Sequence, residues 1–137
     1  MSDLNVQNLN SKTGNSAISI ADSGAVSLST GASGSTQTAN ATGSTTLNFS
    51  TYQNFVLTLT GNVTLANPTT EAVGQSGFIV MVQDGTGSRT VSLGTDYETA
   101  SGAGLTLSSA ASTTDIVPYV VAASGRILLG APQLAFS

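Results

Sequence analysis

Short runs of apolar and β-branched residues, broken roughly every 8–12 residues by turn-forming pairs, fill the chain from Thr46 to its C-terminus. Alternation of apolar and polar residues with period two marks half-buried strands, and no run is long enough for an ordinary helix. The runs are Thr46–Phe49, Asn54–Thr60, Val63–Ala66, Gly77–Gln83, Arg89–Leu93, Leu105–Leu107, Ile116–Ala123 and Arg126–Leu129. Turn signals stand at Gly61-Asn62, Asp84-Gly85-Thr86-Gly87 and Ser124-Gly125, while Asn67-Pro68 ends a run because proline cannot donate to a ladder. Gly77–Gln83 is almost continuously apolar, which predicts a central strand buried on both faces. Asp84–Gly87 predicts a hairpin leading to Arg89–Leu93. Thr113-Thr114-Asp115 resembles a helix cap, but the following Ile116-Val117-Pro118 opposes a helix. The fold class expected over residues 46–137 is all-β, an antiparallel β-sandwich of jelly-roll type or a small barrel. No repeat of the length that builds a solenoid is visible.

The first thirty residues read differently. Short alternating pieces, such as Ala17-Ile18-Ser19-Ile20 and Ala25-Val26-Ser27-Leu28, predict an extended N-terminal β arm over residues 1–30. Its apolar residues Leu4, Val6, Leu9, Ile18, Ile20, Val26 and Leu28 are too few to close a core. Ordering costs about 1–2 kcal/mol per residue, so the arm is expected to order on assembly. It would add strands to a partner's sheet edge and serve docking and trimerisation. Residues 31–45 hold only small and polar residues, the composition of a linker or a surface loop.

Charge and chemistry narrow the function. Only 7% of the 137 residues are charged, where about 25% is usual. A hydrophobic fraction of 39% and a net charge of −4 still argue against whole-chain disorder. Lys12, Arg89 and Arg126 are the only basic residues, too few for a phosphate-tracking patch, so no nucleic-acid partner is expected. No apolar stretch approaches the length of a membrane span, and no basic segment followed by an apolar run opens the chain, so neither a membrane partner nor a secretory signal is expected. With no histidine and no cysteine, serine–histidine and cysteine–histidine catalysis are excluded, as are most zinc and copper sites.

Four weaker signals have plain alternatives. Asp96 and Glu98, two apart, could hold Ca²⁺ weakly but read better as a solvated loop pair. Asp84–Arg89 lacks the lysine and the helix of a phosphate loop. Tyr52, Tyr97, Tyr119, Phe49 and Phe55 could line a sugar-binding shelf, though aromatics on alternating strands are more often core or interface. Thr58, Thr60 and Thr64 are spaced too irregularly for an ice-binding ladder. No catalytic residue, cofactor or metal is therefore expected.

From Thr51 to Ser137 a set of segments recurs in a familiar order. They are Gly61-Asn62-Val63-Thr64-Leu65-Ala66-Asn67-Pro68, Gly74-Gln75-Ser76-Gly77, Gln83 through Val91, Asp115-Ile116-Val117-Pro118-Tyr119 and the terminal Phe136-Ser137. In this they resemble a β-rich module of bacteriophage virion proteins, of the tail-fibre, head-fibre and decoration types. Leu93 departs from the pattern, since an aromatic is usual on that strand. The resemblance implies a non-enzymatic virion structural protein, made in the host cytoplasm and commonly a homotrimer. Length favours a capsid decoration (cement) protein that binds the major capsid protein. A short tail-fibre, spike or head-fibre adhesin contacting the host surface is the first alternative, and a carbohydrate-binding module the second.

Overall fold

The computed structural model describes residues 31–137 in full and, before them, the backbone of Asn8–Asn10, Ser16–Ile20 and Val26–Ser27. The chain divides into two compact units, Met1–Ser33 and Gly34–Ser137. In the first, β1 (Asn8–Asn10), β2 (Ser16–Ile20) and β3 (Val26–Ser27) form an antiparallel sheet in that order.

The second unit is built around β5 (Asn54–Ala66), whose thirteen residues alternate inward and outward. Phe55, Leu57, Leu59, Val63 and Leu65 are all buried, and all lie at odd positions. On one side β5 pairs in parallel with β4 (Thr36–Thr46) along that strand's whole length. On the other side it pairs in parallel first with β6 (Ser76–Gln83) and then with β7 (Val91–Leu93). The change of partner falls at a bulge. Between the pairs Ala41↔Leu59 and Gly43↔Val63, β5 places Thr60, Gly61 and Asn62 against the single Thr42. Gly61 is required there, because a Cβ on it would collide with the Thr42 hydroxyl. A bulge bends a strand and increases its twist, so the sheet curls into a half-barrel.

β9 (Thr114–Ala123) lies antiparallel to β6 and carries two further strands on its outer edge. Those are β10 (Arg126–Leu129), joined by the two-residue Ser124-Gly125 turn, and β11 (Gln133–Phe136). Pro118 is tolerated in this inner strand because it falls where the outer neighbour changes from β10 to β11, so its missing N–H breaks no ladder. Finally β8 (Tyr97–Glu98) pairs in parallel with β10. Because β7 borders β5 and β8 borders β10, residues 91–98 form a strap from β5 to β10. At Gly94 the strap passes so close to Leu65 and Asn67 that a side chain would meet both.

Inside the curl, Phe49, Phe55 and Tyr119 form an aromatic cluster, with ring centroids 4.8 Å apart for Phe49–Phe55 and 5.3 Å, edge-on, for Phe49–Tyr119. Such contacts add about 0.5–1.5 kcal/mol each beyond area burial. Asp115, 1% exposed, is a buried carboxylate with its acceptors filled. The Ser108 amide and hydroxyl donate to it at 2.7 Å, and the Ala135 amide at 2.9 Å, which ties the Ser108 loop and β11 to the core.

The chain is all-β, as expected, but several finer sequence expectations need correction. The sheet is mixed rather than antiparallel, with parallel pairing at β4–β5, β5–β6, β5–β7 and β8–β10. Residues 31–45, expected as linker or loop, belong from Thr36 on to the long strand β4, whose ladder comes from backbone pairing with β5 and not from large side chains of its own. Gly61-Asn62 is a bulge within one strand and not a turn between two. Asp84–Gly87 does not make a hairpin, since β7 pairs with β5 and not with β6. In addition, β6 is buried on one face only, with Phe78 52% exposed, and Leu105–Leu107 packs on the core without strand pairing.

The two faces of the sheet predict opposite outcomes for one kind of change. Phe55→Ala is expected to lower the unfolding free energy by about 3–5 kcal/mol, the range for emptying a buried phenylalanine site. Thr64→Ala, on the outward side of the same strand, is expected to stay within about 0.5 kcal/mol of the parent, as for surface positions. Urea unfolding followed by fluorescence measures both, and equal losses would contradict the register of β5.

Candidate functional site

A concavity runs along the strap. One hollow of about 620 Å³ lies between Val91–Leu93 and Tyr97–Thr99 on one side and Gly102–Leu105 on the other. A second of about 390 Å³ lies between Ser88–Val91 and Leu105–Ser109. The two share Val91 and Leu105 and make one groove. Its floor belongs to the core, since Val91 and Tyr97 are buried while Leu93 and Leu105 pack against them. Ser92, Thr99, Thr106 and Ser108 are among the hydroxyl-bearing residues that line it. The Thr99 hydroxyl accepts from the Gly104 amide at 2.8 Å, closing the 3₁₀ turn Ala100–Gly102 that forms part of the wall.

Each end of the groove carries an ion pair. At one, Arg89 Nη2 donates to Asp84 Oδ2 at 2.8 Å, and Asp84 Oδ1 also accepts from the Thr86 and Gly87 amides at 3.0 and 2.9 Å. The buried Gln83 side chain completes this loop by pairing with both the N–H and the C=O of Arg89 at 2.9 Å. Hydrogen bonding from Arg89 outweighs partial desolvation and lowers the Asp84 carboxyl to about 2 from its ordinary 3.8. At the other end, Arg126 binds Glu98 through two nitrogens at 2.8 and 3.1 Å, which holds that carboxyl below its usual range. Both arginines are thus engaged, and the groove presents a neutral, hydroxyl-rich surface over an apolar floor.

The sequence candidates fall out as follows. Asp96 and Glu98 do not face a common ion, because Glu98 is taken by Arg126. Among the described residues no cluster of three or more acidic side chains could hold a metal. The aromatic shelf is absent: Phe49, Phe55 and Tyr119 are core, and Tyr97 is 5% exposed. Burial raises the Tyr119 hydroxyl to about 12 against the opposing hydrogen bond from Gln75. Tyr97 is driven higher still, first by burial and then by Asp96 and Glu71, and its hydroxyl is buried without a partner among the described residues. Of the arm residues, backbone register sets Leu9 opposite Ile18 and Ile20 opposite Val26. Leu4, Val6 and Leu28 lie outside the described residues. The groove itself was missed, since its walls are far apart in sequence and no local pattern marks them.

A family model described as "Putative phage tail fibre C-terminal domain" matches residues 38–126, from β4 to the first residue of β10. No curated protein and no solved structure matches the chain.

The Asp84–Arg89 pair makes the chain's acid stability testable. A carboxyl whose folded-state pKa is depressed contributes stability that is present above its unfolded value and lost as pH falls through its folded value. Stability is therefore expected to decline between pH 3.8 and about 2. Arg89→Met is expected to flatten that part of the profile. Urea midpoints taken across this range in both proteins provide the check, and parallel profiles would show that Arg89 does not set the Asp84 titration.

Proposed function

This chain belongs to the phage tail fibre C-terminal domain family, and we propose that it is the host-contacting part of a tail fibre. Membership makes it a phage structural protein and a component of the virion. The match over residues 38–126 is the observation that carries the reading, and it favours the tail fibre over the capsid decoration role expected from length. No helix among the described residues is long and apolar enough to cross a membrane.

In this reading the protein acts by binding and not by catalysis. The chain has no histidine or cysteine, and the one carboxylate lining the groove, Glu98, is held by Arg126. The groove suits an uncharged ligand rich in hydroxyls, as a host-surface glycan would be. Irregular loops on a rigid scaffold are where recognition usually resides, and the Ala103–Ser109 wall is such a loop. Assembly as a homotrimer on another virion protein belongs to the same proposal, with the arm strands serving the docking. Its support is the arm's scarcity of apolar residues, which gives it little to fold on alone.

Ala103 lines the groove and is exposed, so Ala103→Trp fills the space without replacing a core residue. The purified chain is expected to bind host cells and to compete with phage adsorption. The variant is expected to bind at least about tenfold more weakly, equivalent to about 1.4 kcal/mol, with an unchanged melting temperature. Failure of the parent chain to compete would oppose the host-contact role. Undiminished binding by the variant would place the contact outside the groove.

A further inference from the structure

The groove wall, residues 103–109, has no strand pairing of its own, so other contacts must place it. Leu105 and Leu107 rest on the core and fix its depth. Apolar packing is non-directional, and the directional contacts at the end of the wall converge on Asp115. The Ser108 amide donates to Asp115 Oδ2 and the Ser108 hydroxyl to Oδ1, both at 2.7 Å. Ser108 itself lines the groove.

The remaining donor to Asp115 comes from a distant part of the chain. The Ala135 amide reaches Oδ1 at 2.9 Å, and a bulge in β11 brings it there. β11 pairs with β9 at Gln133↔Ile116 and Phe136↔Thr114, so Leu134 and Ala135 stand against Asp115 alone. Ala135 takes up the extra residue in the left-handed region, with φ 62°. An alanine stays in that conformation only where its surroundings over-determine it. All four residues of β11 are exposed, so apolar burial does little to hold the strand. The hydrogen bond to Asp115 is what seats its bulge.

The wall and the strand therefore share one carboxylate. Oδ1 serves both the Ser108 hydroxyl and the Ala135 amide, while Oδ2 serves the Ser108 amide. Asp115 is 1% exposed, so a donor lost on either side leaves a buried acceptor underfilled, which is costly. Unseating β11 frees the carboxylate to turn, and both Ser108 bonds turn with it. We propose that β11 sets the groove wall: Asp115 is a positioning residue through which the seating of β11 fixes residues 103–109. By linkage the effect runs both ways, so a ligand that orders the wall also seats β11. The coupling stands on the hydrogen bonds, and only its bearing on a ligand rests on the groove being the binding site.

Amide hydrogen exchange on the full chain tests the coupling without a host. Ala135→Pro removes the donor and forbids positive φ, at an exposed position. It is expected to speed exchange of the Ser108 amide at least about tenfold, the scale of one hydrogen bond to a charged group. The amides of β5 are expected to keep their rates. Asp115→Asn gives a second route, because its side chain has one accepting oxygen where the Ser108 and Ala135 amides use two. One of those two amides is expected to exchange faster in it. Host-cell binding by Ala135→Pro is expected to fall about tenfold, although Ala135 does not line the groove. An unchanged Ser108 amide in Ala135→Pro would overturn the proposal. So would acceleration shared equally by β5, which marks general loosening, or parent-like host binding by Ala135→Pro. A parent chain that binds no host opposes the groove reading alone, and the exchange result still decides the coupling.

Discussion

β5 is paired on both sides along most of its length, and its bulge permits this. Three residues, Thr60 to Asn62, stand against Thr42 alone, so β5 carries two extra residues. A one-residue slip would send every later side chain to the other face, whereas two preserve the parity. Leu57 and Leu59 before the bulge, and Val63 and Leu65 after it, all reach the same core. One strand can thus hold β6, bend, and then hold β7. The strap and the groove above it follow from where β7 is set down. The Asn62 side chain secures that position by accepting the Thr90 amide at 3.1 Å, while the Val63 amide donates to the Thr90 carbonyl at 2.9 Å.

Local pattern made the strands visible, and nonlocal pairing hid their arrangement. The inward parity of Phe55, Leu57 and Leu59 and the Ser124-Gly125 turn could be read directly, because each depends on neighbours in the chain. Strand β4 could not. Threonine, asparagine, glycine and alanine look like linker when judged by side chains, and only Ala41 among its residues is fully buried. What holds β4 is a backbone ladder to β5, and a ladder leaves no trace in composition. Parallel pairing was hidden for a related reason: it needs a long crossover, so no turn motif announces it. The Asp84–Gly87 segment has hairpin residues, yet its Asp84 is used to bind Arg89 and two loop amides.

The apolar run Gly77–Gln83 shows how one observation can support two readings. Continuous hydrophobicity suggested burial on both faces, and the core side, with Ile79 and Met81, is buried. Phe78, on the other side, is about half exposed. The same ambiguity applies to Ile116-Val117-Pro118, where Val117 is core and its two neighbours face outward.

The groove and the outer face meet at the Glu98–Arg126 pair, and their chemistry separates them. The groove has an apolar floor fixed by the core and a polar lining of serine and threonine on its walls. Val91 and Tyr97 are buried and cannot change without loosening the strap, but Ser92 and Thr106 are exposed. The outer face has the reverse construction: its exposed residues are themselves apolar, and its rim is polar. A surface that must meet many different ligands benefits from walls that can vary over a fixed floor. With only two arginines and five carboxylates from Gly34 onward, and Asp115 buried, the distribution of charge is enough to tell the two surfaces apart.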